Sequence, residues 1–127
     1  MSTTNNLLIA LIASSQNNKY ITANDAFEQL DDSVNSEASE AVGGLSTFDL
    51  PQDDYLNNGT FVFTGALTGN CTVTLPSNAR RIICINSTTG GHDIILIVGS
   101  STVTATLSDA NAHLIYCDGV NSVWKAS

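Results

Sequence analysis

The sequence predicts a mainly β protein: a C-terminal head of seven antiparallel strands, arranged as a sandwich or a barrel, preceded by an N-terminal arm with one short amphipathic helix. Three observations support this prediction. Seven short runs rich in β-branched residues follow one another about every ten residues from Thr60 onward. Turn-forming Gly, Asn and Ser residues separate these runs. Only 13% of the 127 residues are charged, so uncharged polar residues must cover much of the surface.

The first 36 residues form the predicted arm, and the apolar run Leu7 to Ala13 is its first candidate contact. A membrane span needs about 20 apolar residues, and no basic residue precedes this run as in a signal peptide. We therefore expect neither a signal peptide nor membrane insertion. Polar residues on both sides favour a strand or short helix that packs on a partner. The residues predicted to anchor the arm are Leu7, Leu8, Ile9, Leu11 and Ile12.

A helix is predicted from Ala23 to about Ser36. The hydroxyl of Thr22 can cap its first N–H groups, and Asp25 lies in its first turn, where a helix attracts negative charge. Apolar residues at spacings of three and four form one narrow stripe along this helix. Because so short a helix is marginal alone, the stripe must pack on the head or on copies of itself. The residues predicted at this interface are Phe27, Leu30 and Val34.

Residues 37–58 are predicted to be an extended acidic linker between the arm and the head. Gly43-Gly44 and Pro51 interrupt the segment, and neither helical nor strand periodicity runs through it. Isolated apolar residues such as Leu45 and Phe48 indicate that the linker lies on another surface rather than being disordered.

The head is predicted over residues 59–127. Turn signals such as Asp118-Gly119, a favoured hairpin pair, indicate that most neighbouring strands are antiparallel. Two of the strands are apolar on both faces, which is typical of central strands or of strands at a subunit contact. In chain order the predicted strands are Thr60 to Thr64, Cys71 to Leu75, Arg81 to Asn86, Asp93 to Val98, Thr102 to Leu107, Ala112 to Cys117 and Val120 to Trp124.

Negative charge is concentrated in the N-terminal half of the chain. The net charge is -8, and nine of the twelve acidic residues lie between Asp25 and Asp54, while the later half is close to neutral. Binding to a phosphate backbone needs clustered basic residues. Since Arg80-Arg81 is the only such pair, we expect no nucleic-acid partner.

The sequence predicts no enzymatic activity, no metal site and no cofactor. His92 and His113 are the only histidines, and neither has a nucleophile and an orienting group at a catalytic spacing. Zinc-ligand spacing and the calcium-binding loop pattern are both absent. Cys71, Cys84 and Cys117 lie in apolar runs and are expected to be buried thiols in a reducing cytoplasm, with a disulfide between two of them as the alternative.

Three aromatic residues, Tyr55, Tyr116 and Trp124, have two interpretations. Aromatic ring faces bind sugars in many β modules, so these residues are candidate glycan contacts. Packing in the core or at a subunit interface is the favoured interpretation, because large aromatic side chains usually supply such contacts.

Two stretches of the chain resemble structural proteins of tailed bacteriophages. The first contains Ser14-Ser15-Gln16, Lys19 and Ala26-Phe27, and it is similar to the pattern ASSQxxKxVTxNxAFxxLD near the start of many such proteins. The second resembles a β module of phage fibre and virion-surface proteins. Together the stretches cover about two thirds of the chain. The β-module resemblance rests on Phe61 to Asn70, Val73-Thr74-Leu75-Pro76, Asn86 to Gly91 and Tyr116-Cys117-Asp118-Gly119.

This resemblance implies a structural component of a bacteriophage virion, made in the cytoplasm of the host bacterium. Larger relatives carry these segments within long, typically trimeric fibres, whereas here they are joined directly. The chain therefore resembles a small homotrimeric fibre, adaptor or capsid decoration protein. Its arm would dock on other virion proteins of the capsid, the portal or neck, or the tail, with the head facing outward. The alternative is a carbohydrate-binding adhesin module that contacts a host-surface glycan.

Overall fold

A computed structural model describes residues 3–7, 10 and 19–126 of the chain. The described residues form a mainly β fold with two helices and with nine strands in two mixed sheets. In chain order the elements are α1 (Lys19–Asn35), β1 (Glu37–Ala41), β2 (Thr47–Asp49), α2 (Gln52–Asn57), β3 (Thr60–Ala66), β4 (Cys71–Thr74), β5 (Arg80–Thr89), β6 (Ile94–Ile97), β7 (Ala105–Leu107), β8 (Ala112–Cys117) and β9 (Val123–Lys125).

Strands β1 to β6 build three coils of a parallel β-solenoid. Consecutive strands alternate between a five-stranded sheet of order β1-β3-β5-β8-β9 and a four-stranded sheet of order β2-β4-β6-β7. Each strand pairs in parallel with the equivalent strand of the next coil. Glu37 lies opposite Thr60, and Thr60 lies opposite Ile83, each 23 residues further along the chain. Parallel pairing requires a long crossover, and here the strand in the other sheet supplies it.

The core lies between the two sheets, where inward-facing side chains stack in rows from coil to coil. Alternate side chains of a strand point to opposite faces of its sheet. In β4, Cys71 and Val73 are fully buried, and the register aligns Val73 with Phe48 of the first coil and Leu96 of the third. The main core residues are Phe61, Phe63, Cys71, Val73, Leu75, Ile82, Cys84, Ile94, Leu96, Val98, Leu107, Ile115, Cys117 and Val123.

Two glycines allow the first and second coils to stack closely at a corner. Gly65 has a φ of +114°, a conformation that L side chains rarely adopt. A Cβ atom at Gly65 would lie 2.6 Å from the Cα atom of Gly43 in the neighbouring coil. Any larger residue at this corner would therefore push the two coils apart.

The C-terminal strands close one end of the solenoid. Strand β8 pairs antiparallel with β5, β9 pairs with β8, and β7 pairs with β6. A bridge between Val103 and Ser122 adds a contact close to this end. At the other end β1 and β2 are the edge strands, with no further strand beside them in the described part of the chain.

Each of the seven predicted strands overlaps an observed strand, but the predicted antiparallel arrangement is wrong. Among the described residues, four of the seven strand pairings are parallel. The reason is that several turn signals join strands of different sheets: Thr68-Gly69-Asn70 leads from β3 in one sheet to β4 in the other. Residues 37–58, predicted to be a linker, contain β1, β2 and α2 and form the first coil.

Helix α1 begins at Lys19 rather than at the predicted Ala23. Thr22 therefore lies inside the helix and does not cap it. The helix ends at Asn35, within one residue of the predicted end, and Ser36 N–H still donates to the carbonyl of Asp32.

Candidate functional site

Exposed apolar side chains concentrate on two surfaces of the molecule. Among the described residues, eleven large apolar side chains are exposed, and seven of them belong to these surfaces. Contiguous exposed apolar patches commonly mark binding sites. We name the first surface the helix stripe, formed by Phe27, Leu30 and Val34 of α1, and the second the sheet patch, formed by Ile83, Leu114, Tyr116 and Trp124.

The helix stripe has no cover within the described chain. Leu30 is 62% exposed, Val34 60% and Phe27 37%. Their spacings of three and four place all three side chains on one face of α1. An open cleft of about 450 Å³ lies beside the stripe. It is lined by Ala26, Gln29, Leu30 and Ser33 of α1 and by Leu56, Asn78, Ala79 and Arg80.

Arg80 holds both helices on the β fold. Its guanidinium donates to the backbone carbonyls of Ser33 near the end of α1, Tyr55 in α2 and Asn58 after α2, the last at 2.8 Å. The guanidinium carbon also lies 5.5 Å from the centre of the Tyr55 ring. Carbonyl groups at a helix C-terminus lack helical partners and carry partial negative charge, so a cation is stabilising there. Arg80 therefore fixes the C-terminal end of α1 on the β fold through a backbone carbonyl.

Asp31 joins the start of the chain to α1. Its carboxylate accepts hydrogen bonds from the backbone N–H groups of Asn6 at 2.7 Å and Leu7 at 3.0 Å. Burial acts to raise the pKa of Asp31, but these hydrogen bonds outweigh burial and lower the pKa below its usual value. Residues 3–7 are thus attached to the helix through an ionised carboxylate.

The sheet patch lies on the outer face of the five-stranded sheet. Strand register places Ile83 of β5 opposite Leu114 of β8. In the next row, Tyr116 of β8 lies between Arg81 of β5 and Trp124 of β9. The rings of Tyr116 and Trp124 are stacked, with centroids 5.6 Å apart and planes inclined by 15°. Their exposed fractions are 42% and 45%.

The structure brings together some of the residues predicted for binding and separates others. Tyr116 and Trp124 are neighbours, whereas Tyr55 is fully buried, stacks on Phe61 and donates from its hydroxyl to the carbonyl of Asn78. Tyr55 is therefore inaccessible to a glycan. Of the predicted anchor residues Leu7 is exposed, and four lie outside the described residues: Leu8, Ile9, Leu11 and Ile12.

Sequence analysis did not predict a carboxyl pair formed by Glu40 of β1 and Asp54 of α2. Glu40 points inward from its strand, and its Oε1 atom is buried without a hydrogen-bond partner. Burial, followed by the hydrogen bond to Asp54 and the charge of that group, raises the pKa of Glu40 to about 7. The carboxyl pair could have been predicted from the sequence only if residues 37–58 had been recognised as part of the β fold. Glu40 would then have been seen to occupy an inward position of a strand.

The remaining polar groups that could carry chemistry have structural partners. Nε2 of His113 in β8 lies 2.7 Å from the carboxylate of Asp109, which belongs to the turn before this strand. Cys71, Cys84 and Cys117 are free and buried, and burial raises the pKa of the Cys84 thiol far above its usual value. Within the described residues no group of three or more His, Cys, Asp or Glu side chains could hold a metal ion. No helix in the same part of the chain is long and apolar enough to span a membrane.

Neither the models of known protein families, nor the curated proteins, nor the solved structures include a match to this chain. The features that bear on function are therefore its own two apolar surfaces and the charged residues around them.

Proposed function

We propose that the chain is a structural subunit of a bacteriophage particle. In this proposal it is a small fibre, adaptor or capsid decoration protein that forms a homotrimer through the helix stripe, docks by its N-terminal residues and turns its β fold outward. The observation that carries the proposal is the exposed stripe on a helix that is otherwise firmly attached. The resemblance to phage structural proteins supplies the particle and the three-fold symmetry.

The spacing of the helix stripe favours another copy of α1 as its cover. Ala23, Phe27, Leu30 and Val34 follow one another at intervals of four, three and four residues, which are the a and d positions of a heptad. Copies of such a helix pack together through these positions and would bury the three exposed side chains of the helix stripe, Phe27, Leu30 and Val34. Helix α1 spans 17 residues, enough for about two heptads.

The charges beside the helix stripe permit this contact. The flanking heptad positions are Asn24, Ala26, Asp31 and Ser33, of which only Asp31 is charged. Its carboxylate already accepts hydrogen bonds from the backbone of Asn6 and Leu7. Like charges at flanking positions oppose helix association, so their near absence supports self-association.

The β fold of the same chain is a poor alternative cover for the helix stripe. Arg80 binds the carbonyl of Ser33, and Gly59 lies against the backbone carbonyl of Val34, so the β fold contacts the end of the helix. The Val34 side chain stays 60% exposed despite this contact. Rotating α1 to bury the stripe would break the hydrogen bond from Arg80 to Ser33.

The experiment compares two substitutions of the same chemical kind on α1. Leu30→Glu introduces a charge into the helix stripe, and Ile21→Glu introduces one on the opposite side of the helix, where Ile21 is also exposed. We expect light scattering to give the mass of a trimer for the wild type and for Ile21→Glu, and that of a monomer for Leu30→Glu. Purified particles of the encoding phage should carry the first two proteins and lack the third.

Two outcomes would contradict the proposal. A monomeric wild type at concentrations of about 100 µM, far above those at which obligate assemblies dissociate, would rule out the helix stripe as an assembly surface. Particles that contain no copy of the wild-type protein would rule out the structural role in the virion, whatever the mass in solution.

A further inference from the structure

We propose that the outer face of the five-stranded sheet binds an acidic saccharide. Tyr116 and Trp124 would stack against the sugar rings, and the Arg81 guanidinium would bind a sugar carboxylate. The site goes beyond the assembly role proposed above and does not depend on the number of subunits. Arg81 was not among the predicted binding residues.

The two aromatic rings form one continuous platform. They are nearly parallel, their centroids are 5.6 Å apart, and each is more than two fifths exposed. Tyr116 and Trp124 are directly paired across β8 and β9, so the sheet holds them in place before a ligand arrives. An aromatic ring offers an apolar face with a polar group at its rim, which matches a sugar ring with its C–H face and its hydroxyl groups.

Arg81 adds a positive charge at the edge of this platform. It lies opposite Tyr116 in the strand register, and its side chain is exposed. The only ion pair within the described part of the chain joins His113 and Asp109, so no carboxylate there occupies Arg81. A guanidinium binds a carboxylate through two parallel hydrogen bonds. This charge complementarity favours a uronic or similar acidic sugar over a neutral one.

Asp118, close in sequence to Tyr116, does not compete for Arg81. One oxygen of its carboxylate accepts hydrogen bonds from three backbone N–H groups, those of Val120, Asn121 and Ser122. These bonds outweigh the effect of burial and lower the pKa of Asp118, so its charge is held within the turn between β8 and β9.

The size of the sheet patch fits a saccharide better than a protein partner. A stable protein interface involves about 20 to 30 residues on each side, whereas only four large apolar side chains are exposed here, on three strands. Thr60 of β3, the outward neighbour of Ile83, is polar and uncharged. A short row of aromatic and apolar side chains beside one arginine and an uncharged polar residue suits a few linked sugar units.

The experiment uses the fluorescence of Trp124, which is the single tryptophan of the chain and lies in the proposed site. The full chain is titrated with a galacturonic acid hexamer and, as the neutral counterpart, with maltohexaose. We expect the acidic oligomer to change the emission of Trp124 in a saturable way and to bind at least about tenfold more tightly than the neutral one.

Substitutions at exposed positions identify which side chains contact the saccharide. Tyr116→Ala and Arg81→Gln should each weaken binding of the acidic oligomer by about tenfold. Lys125→Gln, which removes a positive charge next to Trp124 in the sequence, and Val120→Ala, which removes an exposed apolar side chain nearby, should leave the affinity unchanged. Circular dichroism of each variant verifies that the fold is retained.

Three results would overturn the proposal. A flat titration with both oligomers up to about 10 mM would mean that the platform does not bind sugars. Equal affinity for the two oligomers would exclude an acidic saccharide as the preferred ligand. Unchanged binding by Arg81→Gln would exclude Arg81 as the carboxylate contact. None of these results bears on the mass of the assembly or on its presence in particles.

Discussion

At the scale of single residues, buried or partly buried charged groups attach one part of the fold to another. Arg80 binds backbone carbonyls in and directly after the two helices, and Asp31 binds the backbone of residues 6 and 7. Glu40 differs, because it points inward from the edge strand β1 and meets another acidic group, Asp54. An inward-pointing charge on an edge strand opposes pairing with a further strand. When it is ionised, Glu40 therefore disfavours a further strand beside β1, and the cost of burying it depends on pH.

The raised pKa of Glu40 predicts the direction in which the free energy of unfolding changes with pH. Its pKa is about 7 in the folded protein against a usual value of 4.5, so the folded state binds more protons than the unfolded state between these values. The free energy of unfolding should therefore fall as the pH rises from about 4.5 to 7. Glu40→Gln removes this dependence, and at pH 8 we expect it to be more stable than the wild type by about 2 kcal/mol.

Urea unfolding of both proteins at pH 5 and pH 8, at one protein concentration, measures the difference. Glu37→Gln is the matched control, since Glu37 lies on the same strand with an exposed side chain. It should follow the wild type at both pH values. If Glu40→Gln and the wild type respond identically to pH, the carboxyl pair with Asp54 does not hold a proton.

At the scale of elements, the sequence predicted the positions of strands far better than their partners. Alternating apolar residues predict one buried face, and in β4 Cys71 and Val73 are indeed buried. The same alternation does not say whether the next strand joins the same sheet or the opposite one. A visible trace of the parallel stacking is the repeated pair Leu50-Pro51 and Leu75-Pro76, which ends the second strand of the first two coils.

The weak strands of the first coil could not be predicted from propensity. The sequence of β1 is Glu-Ala-Ser-Glu-Ala, which consists of residues that are rarely enriched in strands. It becomes a strand because β3 offers a free edge in register. The two binding surfaces differ in the same way. The helix stripe can be predicted from local residue spacing. Arg81 lies beside Tyr116 only because β5 pairs with β8, and these strands are not consecutive in the chain.

The attachment of the helices to the β fold is predicted to depend on Arg80. Arg80→Gln removes the cation and leaves helix carbonyls without partners, so we expect a loss of about 2 to 4 kcal/mol in the free energy of unfolding. Arg80→Lys keeps the charge but lacks the planar fork that reaches several carbonyls, and its loss should be intermediate. Thermal and urea unfolding measure both effects.

Arg81→Gln is the control for Arg80, because the neighbouring arginine is exposed and makes no ion pair within the described residues. Its effect on stability should stay within about 0.5 kcal/mol. Equal losses for the two arginines would mean that the carbonyls of Ser33 and Asn58 are not held by Arg80.

At the scale of the whole molecule, the two ends of the stack of coils differ in how many strands cover them. In such an array each coil is stabilised mainly by the coils next to it. Strand β3 has a partner on both sides, and so has β5, whereas β1 has a partner on one side only among the residues that the structure describes. Strands β7 to β9 cover the C-terminal end of the solenoid. Local unfolding should therefore begin at the first coil.

Amide hydrogen exchange tests whether local stability rises from the first coil toward the second and third. We expect amides of β3 and β5 to be the slowest, and those of Ala38 and Glu40 in β1 to exchange at least about tenfold faster, because local opening of an edge strand breaks fewer contacts. Leu30→Glu, measured beside the wild type, separates assembly from intrinsic stability, since the helix stripe lies on α1 and not on β1. If β1 is as protected as β5 in both proteins, opening does not begin at the first coil. If β1 is protected in the wild type but exchanges fast in Leu30→Glu, the neighbouring subunits cover the first coil, and assembly stabilises this end of the solenoid.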